Sequence, residues 1–182
     1  MMQVTVNSNT VWAIDPVHTR IRFDAKYLMI TAVSGWFREF EGTVVSSKED
    51  FSDSEIQLTI YVNSLYTGND ERDNHLRSPD FFDAKKYPTI TFRSTEVKVS
   101  ENNIKITGPL SIKDITQEIT FSARWLGVVP DPNGNIKACF EMDAVFDRKD
   151  FNITWNQFFD KQGVLISDRV QLHADVQLLK LP

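Results

Sequence analysis

TRIRFDAKY, residues 19–27, alternates between two kinds of side chain along its whole length. Its odd-numbered positions are Thr, Ile, Phe, Ala and Tyr, whereas every even-numbered position is charged. A period of two residues places the two sets on opposite faces of a β-strand. The stretch therefore predicts an antiparallel strand with one apolar face and one solvated face.

The same alternation recurs along the rest of the chain. It is found in residues 56–62, 90–92, 104–106, 110–112, 119–125, 136–146 and 170–178. Turn sequences separate these runs, for example PDPNGN at 130–135, where Asn-Gly favours a tight hairpin. Gly108-Pro109 divides 104–106 from 110–112, which predicts two strands there. About eight long strands are expected, and a sheet of that size normally closes to remove its edges. A barrel is favoured over an open sheet, and a two-sheet sandwich stays an alternative.

Two segments lack the β pattern. Residues 69–86 look helical, because Asn69 can cap a helix and Asp70 and Glu71 suit its positive first turn. Pro79 predicts a break, followed by a second turn that contains Phe81 and Phe82. Residues 148–163 are aromatic without a clear period, so we expect a long loop that folds over something apolar.

The composition restricts the class of protein. Hydrophobic residues make up 41% and charged residues 25% of 182 residues, as in an ordinary globular domain, and no linker divides the chain. We expect one domain, residues 1–182. The net charge of -5 argues against nucleic acid and anionic membrane surfaces as partners. No run is long and apolar enough for a membrane span, and no signal peptide is visible, so we expect a cytoplasmic protein.

Asp15 and His18 form the pair that most resembles catalytic machinery, since a carboxylate often orients a general-base imidazole. Asp15-Pro16 is also a turn sequence, and an Asp15 side chain bonded to nearby backbone explains it without chemistry. The structural interpretation is preferred. The three histidines lie in unrelated segments and Cys139 is the single cysteine, so neither a metal site nor a cofactor is expected.

The apolar faces of the strands form the candidate binding surface. An eight-stranded barrel has an interior that is either just filled by side chains or just able to hold one small ligand, and the residues alone leave both open. Alternation places the strand arginines on the opposite face, so a charged head group is expected at a mouth of the barrel. Basic candidates there are Arg72, His75, Arg77, Arg148 and Lys149.

One long motif resembles a known family. NDERDNHLRSPDFFDAKKYPTITF, residues 69–92, is similar to the YceI-like family of lipocalin-like polyisoprenoid-binding proteins. DPVH at 15–18, GPLSI at 108–112 and RKDF at 148–151 strengthen the resemblance, which runs from about Trp12 to Leu178. It implies an all-β, elongated eight-stranded antiparallel barrel with one or two short helices, holding an isoprenoid or other lipid-like chain. It also makes a homodimer plausible.

We therefore predict that the protein binds, sequesters or transports an apolar chain without catalysing a reaction. The predicted ligand-binding residues are Phe23, Phe37, Phe40, Leu58, Ile60, Phe82, Phe92, Phe121, Trp125, Phe140, Met142, Phe146, Phe151 and Trp155. Two alternatives remain at this point. One is an enzyme that acts on a hydrophobic substrate at the mouth through Asp15 and His18, and the other is a filled barrel that serves as a stress or interaction module.

Overall fold

The protein is mostly β-strand in this computed structural model, which describes residues 9–159 and 163–182. The strands are β1 (Thr10–Ile14), β2 (Arg20–Tyr27), β3 (Thr31–Phe37), β4 (Phe40–Ser46), β5 (Glu55–Tyr61), β6 (Leu65–Tyr66), β7 (Thr89–Arg93), β8 (Glu96–Ser100), β9 (Asn103–Ile112), β10 (Ile115–Pro130), β11 (Ile136–Asp147), β12 (Phe158–Phe159), β13 (Gly163–Val164) and β14 (Ile166–Lys180). The helix α1 spans Asp70–Arg77, and 3-10 turns span Val62–Ser64 and Arg148–Phe151.

Eight antiparallel strands form a closed ring. Their order is β1-β4-β5-β7-β9-β10-β11-β14, and β14 pairs again with β1, with Ile14 opposite Leu178. The predicted eight-stranded barrel is thus confirmed, and the two-sheet sandwich does not form. Closure leaves these strands without the unpaired edges that an open sheet would present.

The last strand, β14, is long enough to serve two neighbours on one side. Its carboxyl-terminal part pairs with β1, and its amino-terminal part pairs with β2, where Val170 lies opposite Ala25. Strand β2 continues into β3, and β3 pairs with β6. The β2–β3 hairpin therefore extends one end of the barrel, which we call the mouth. The opposite end, where residues 47–54 connect β4 to β5, we call the closed end.

The prediction of two strands around Gly108-Pro109 is wrong, because a single strand, β9, includes both residues. It runs without interruption from Asn103 to Ile112. Residues 103–107 of β9 pair with β8, and residues 110–111 pair with β7. Pro109 lies between these two stretches, so its missing N–H does not interrupt either ladder.

Gly108 marks a close approach of two backbones at the same place. A Cβ atom on Gly108 would lie 2.0 Å from the carbonyl oxygen of Arg93. The position accepts only a residue without a side chain, which explains why glycine occurs inside a strand.

Helix α1 begins as predicted. The Asn69 side chain accepts a hydrogen bond from the backbone N–H of Arg72, which satisfies one of the free donors of the first turn. Ser78 has extended backbone angles, as the residue before a proline tends to have, and the helix ends there. Residues 79–87 form turns, so the segment holds one helix.

Candidate ligand-binding site

A long apolar cavity runs through the barrel. Its volume is about 560 Å³, within the range of roughly 300–1,000 Å³ found for small-molecule sites. Along β14 it is lined from Ile166 to Leu178, a distance of roughly 40 Å along the strand and about 30 Å along the axis of a tilted barrel. A volume of this size over such a length describes a narrow tunnel.

Eleven of the fourteen predicted ligand-binding residues line this tunnel. They are Phe23, Phe37, Leu58, Ile60, Phe82, Phe92, Phe121, Phe140, Met142, Phe146 and Trp155. Their role in binding stays a prediction. Alternation places the nine strand residues on the inner face, whereas Phe82 and Trp155 reach the tunnel from the segments after α1 and after the 3-10 turn at Arg148–Phe151. The inner face is not filled by its side chains, which sequence alone could not decide.

Phe40, Trp125 and Phe151 do not line the tunnel. Phe40 and Phe151 are buried in the surrounding core, and Phe151 packs edge-on against Phe146 with ring centroids 5.6 Å apart. Trp125 packs against Phe51. All three pack behind the residues that line the tunnel and so support its walls.

Phe51 lies against the tunnel at the closed end. It comes from the polar connection between β4 and β5, yet it is 4% exposed and lines the tunnel. Its ring centroid lies 5.5 Å from that of Trp12, 5.3 Å from Phe140 and 6.4 Å from Trp125. Sequence reasoning missed Phe51, since a single aromatic residue in a loop has no periodicity.

Phe51 also has a φ angle of 61°. This left-handed conformation costs a residue with a side chain roughly 1–2 kcal/mol relative to glycine. The surrounding aromatic rings must therefore offset a local penalty to keep the ring in place.

Ionisable side chains line the tunnel at the mouth. They are Lys26, Glu71, Arg72, His75 and Arg148. They come from β2, from α1 and from the 3-10 turn after β11. The rest of the lining is mainly aliphatic and aromatic, with the uncharged Thr43, Ser54 and Gln57 towards the closed end, so the ionisable side chains of the lining are confined to the mouth.

Arg148 holds the segment that covers part of the mouth. Its Nε donates to the carbonyl of Ser167 (3.0 Å), and its Nη1 donates to the carbonyls of Ile153 and Trp155 (2.8 Å each). The side chain is buried, and burial lowers the pKa of its guanidinium. Because most of its donors are occupied by backbone oxygens, Arg148 positions Trp155 rather than offering a free charge to a ligand.

Three aromatic rings form a rim at the mouth. The ring centroid of His75 lies 4.6 Å from that of Trp155 and 5.0 Å from that of Phe81, both edge-on. The His75 Nε2 atom lies 2.9 Å from the carboxylate of Asp80. The helix and the aromatic segment after β11 thus meet at one place.

Arg72 attaches the helix to the barrel. Its Nε donates to the hydroxyl of Thr67 at 2.8 Å, and its Nη2 donates to the carbonyl of the same residue at 2.9 Å. Buried Asp73 accepts the backbone N–H of Thr67 at 2.9 Å. Through these contacts Arg72 and Asp73 fix the amino-terminal turn of the helix to Thr67.

Asp15 and His18 lie outside the tunnel. The Asp15 carboxylate accepts from the backbone N–H of Val17 (2.9 Å), from His18 Nδ1 (2.9 Å) and from the ammonium of Lys137 (2.7 Å). Burial alone raises the pKa of Asp15, but the hydrogen bonds from Lys137, His18 and the backbone outweigh it and hold the pKa well below its ordinary value. The side chains of Asp15, His18 and Lys137 do not line the tunnel.

Lys137 was missed because the pattern assigns it to the solvated face. It does lie on the outer face, but Asp15, His18 and Gln177 surround its ammonium group, so the side chain is almost entirely buried. A buried lysine that is paired in this way fits a structural link between β1, β11 and β14. The geometry therefore gives the pair Asp15 and His18 no access to a substrate in the tunnel.

The remaining candidates for chemistry lie apart. Within residues 9–159 and 163–182, no three His, Cys, Asp or Glu side chains are grouped so that they could hold a metal ion. His173 lies on the outer face, where its Nδ1 is 2.8 Å from the Asp143 carboxylate. Among the described residues, no helix has the length and apolar character needed to cross a membrane.

Sequence comparison identifies relatives over most of the chain. The profile of the YceI-like domain matches residues 12–178. A UPF0312 protein of Pectobacterium atrosepticum is 38% identical over 137 residues, which cover 75% of this chain and 71% of that protein. Protein YceI of Salmonella newport is 36% identical over 137 residues, or 75% of this chain and 72% of the relative.

Structure comparison agrees. The YCEI protein of Campylobacter jejuni superimposes with a TM-score of 0.72 at 30% identity, over 86% of this chain and 90% of that one. BcnA of Burkholderia cenocepacia gives 0.78 at 23% identity, over 90% and 98%. A polyisoprenoid binding domain from Saccharophagus degradans gives 0.66 at 16% identity, over 94% and 98%. Because BcnA and the polyisoprenoid binding domain are less than 25% identical to this chain, their likeness shows a shared fold and nothing more.

Proposed function

Because this chain belongs to the YceI-like family, we propose that it binds one isoprenoid or similar lipid-like chain inside its barrel, and thereby sequesters or carries it. The observation that supports this most directly is the tunnel, which is apolar along its length and polar at the mouth. The polyisoprenoid binding domain with the same fold is consistent with an apolar ligand.

The tunnel suits a chain better than a compact molecule. Each methylene group removed from water contributes about 0.8 kcal/mol, so affinity is expected to grow with chain length until the chain reaches Phe51. A wide chamber would instead favour rings or branched molecules of the same volume. The proposal therefore requires a dependence on chain length with an upper limit.

The orientation of the ligand follows from the charged groups. Glu71 and Lys26 line the tunnel at the mouth, together with Arg72. Moving a polar head group into the apolar part of the tunnel would cost its hydration without providing partners. The chain is thus expected to enter with its apolar end first, leaving the head group near α1.

The test is organic extraction of protein purified from cells, with mass spectrometry of the extract. A stoichiometric apolar molecule is expected. A blank extract, combined with no binding of a fluorescent lipid probe to the purified protein, would refute the proposal.

A pair of variants assigns any such binding to the tunnel. Leu172 lines the tunnel, whereas its neighbour Gln171 is exposed on the outer face of the same strand. Leu172→Trp should keep the melting temperature and abolish probe binding, because the indole occupies the tunnel. Gln171→Trp adds the same group outside and should bind as the parent does. Equal binding by both variants would place the probe elsewhere.

The cytoplasmic location and the homodimer stay predictions. Cell fractionation and light scattering, respectively, would test them. The alternative of a filled barrel is disfavoured by the tunnel, and thermal stabilisation by an apolar ligand would count further against it.

A further inference from the structure

The tip of the β2–β3 hairpin is an exposed apolar protrusion at the mouth. Met29 is 63% exposed and Ile30 is 80% exposed, and Leu28 and Tyr27 beside them are exposed as well. Isolated exposed apolar residues are common on proteins, but four in succession at a convex tip are not.

The backbone of the tip adopts an unfavourable conformation to present these side chains. The Ile30 N–H donates to the Tyr27 carbonyl at 3.1 Å, and the two central residues of this turn, Leu28 and Met29, have φ angles of 49° and 59°. Turns of this kind favour Asn-Gly, which accepts positive φ at low cost. An Asn-Gly pair would make this turn more stable than Leu28-Met29 does, so the apolar residues point to a function.

The same hairpin forms part of the mouth. Lys26, Tyr27 and Val33 line the tunnel, and the Leu28 N–H donates to the carbonyl of Leu165 at 2.8 Å, beside the tunnel wall. Whatever the tip touches therefore lies next to the opening through which a ligand must pass.

The charge and chemistry of the hairpin fit a lipid bilayer. In a chain with a net charge of -5, residues 25–38 contain no Asp or Glu. Lys26 stands directly below the apolar tip and Tyr27 is the first residue of the tip, and both residue types place an apolar body in the membrane interface with a polar end in water. A convex tip of three aliphatic side chains has a shape that fits between lipids, whereas a partner protein would need a matching groove.

We propose that the tip, residues 27–30, inserts into the surface of a lipid bilayer and places the mouth against it, so that an apolar chain passes between the bilayer and the tunnel without crossing water. The contact is driven by burial of apolar side chains, so it does not require an anionic surface. The exchange step rests on the proposed function, but the docking step does not.

Flotation with phosphatidylcholine vesicles tests the docking step. The variant Leu28→Asn/Met29→Gly/Ile30→Thr removes the apolar tip and supplies the turn sequence that the backbone favours, so it should fold at least as well as the parent. Its vesicle-bound fraction should fall at least roughly tenfold, given the transfer free energy of three aliphatic side chains.

The matched control changes three exposed apolar residues at the closed end. Leu126, Val128 and Val129 are each 45–51% exposed, and replacing all three with Thr should leave flotation unchanged. Absence of flotation by the parent protein, or equal loss in both variants, would overturn the proposal. So would a parent that dimerises through the tip and does not float, because the tip would then bind a second copy.

Two further measurements separate this proposal from the proposed function. Leu172→Trp, with its tunnel blocked, should float as the parent does. The tip variant should still bind a water-soluble fluorescent fatty acid, but it should take up a fluorescent lipid from vesicles at least several-fold more slowly. An uptake rate equal to that of the parent would overturn the exchange step.

Discussion

The substitution Phe51→Ala at the closed end should lower the free energy of unfolding, and the aromatic contacts of Phe51 determine by how much. Its ring meets three other aromatic rings, each such pair being worth about 0.5–1.5 kcal/mol. Burial of the side chain adds about 1.5–3 kcal/mol. Together these contacts amount to roughly 3–7.5 kcal/mol, against the usual cost of roughly 3–5 kcal/mol for a buried Phe→Ala change, and we expect Phe51→Ala to fall in the upper half of that usual range.

The φ angle of Phe51 supplies an internal control. Alanine at this position keeps the left-handed strain, whereas glycine removes about 1–2 kcal/mol of it. Phe51→Gly should therefore be more stable than Phe51→Ala by about 1 kcal/mol once the extra backbone entropy of glycine is counted. In a strand or a helix the alanine variant is normally more stable than the glycine variant, so the order expected at Phe51 is the reverse of the usual one.

Urea unfolding of ligand-free protein, followed by circular dichroism, measures both differences. A loss below about 1 kcal/mol for Phe51→Ala would refute the packing described here, because an exposed or loosely held ring costs that little. Thermal-shift measurements with a series of linear alcohols test whether Phe51 limits the length of the bound chain. The alcohol that stabilises Phe51→Ala most should be longer than the alcohol that stabilises the parent most. An unchanged optimum would show that another residue ends the tunnel.

Three further predictions concern the barrel wall. Gly108→Ala should lower the free energy of unfolding by about 3 kcal/mol, because the Arg93 backbone must move away. Gly134→Ala adds a Cβ that meets no atom within 4 Å, but its φ of 84° disfavours a side chain, so it should cost about 1–2 kcal/mol by thermal denaturation. Hydrogen bonding to Asp143 raises the pKa of His173, so its stabilisation is complete below about pH 6.5 and is lost as the pH rises through the raised value. His173→Gln should therefore be destabilising at pH 5.5 by less than about 1 kcal/mol and neutral at pH 9, and the same profile in an Asp143→Asn background would contradict the pairing. His18→Ala should cost less than about 1 kcal/mol because the side chain is half exposed. Lys137→Ala takes the ammonium group away from the mostly buried Asp15 carboxylate and should cost more, about 3 kcal/mol. A larger effect for His18 would reverse their assigned roles.

The sequence by itself determined the class of fold and the face of each strand. Alternation at 19–27 and along β11 and β14 places Phe23, Met142 and Leu172 on the inner face, because side chains on a strand alternate with an unvarying period. The Asn69 cap and Pro79 likewise set the limits of the helix, since both act on the local backbone.

Tertiary structure alone decided what the inner face encloses and where the site ends. Phe51 reaches the tunnel through contacts with Trp12 and Phe140, which are far away along the chain, and Lys137 is buried by Asp15 in the same manner. Pro109 fits inside a strand because the neighbouring strand changes there. Whether the interior is filled depends on the circumference of the closed barrel relative to the volume of its side chains, and that comparison exists only once all eight strands have paired.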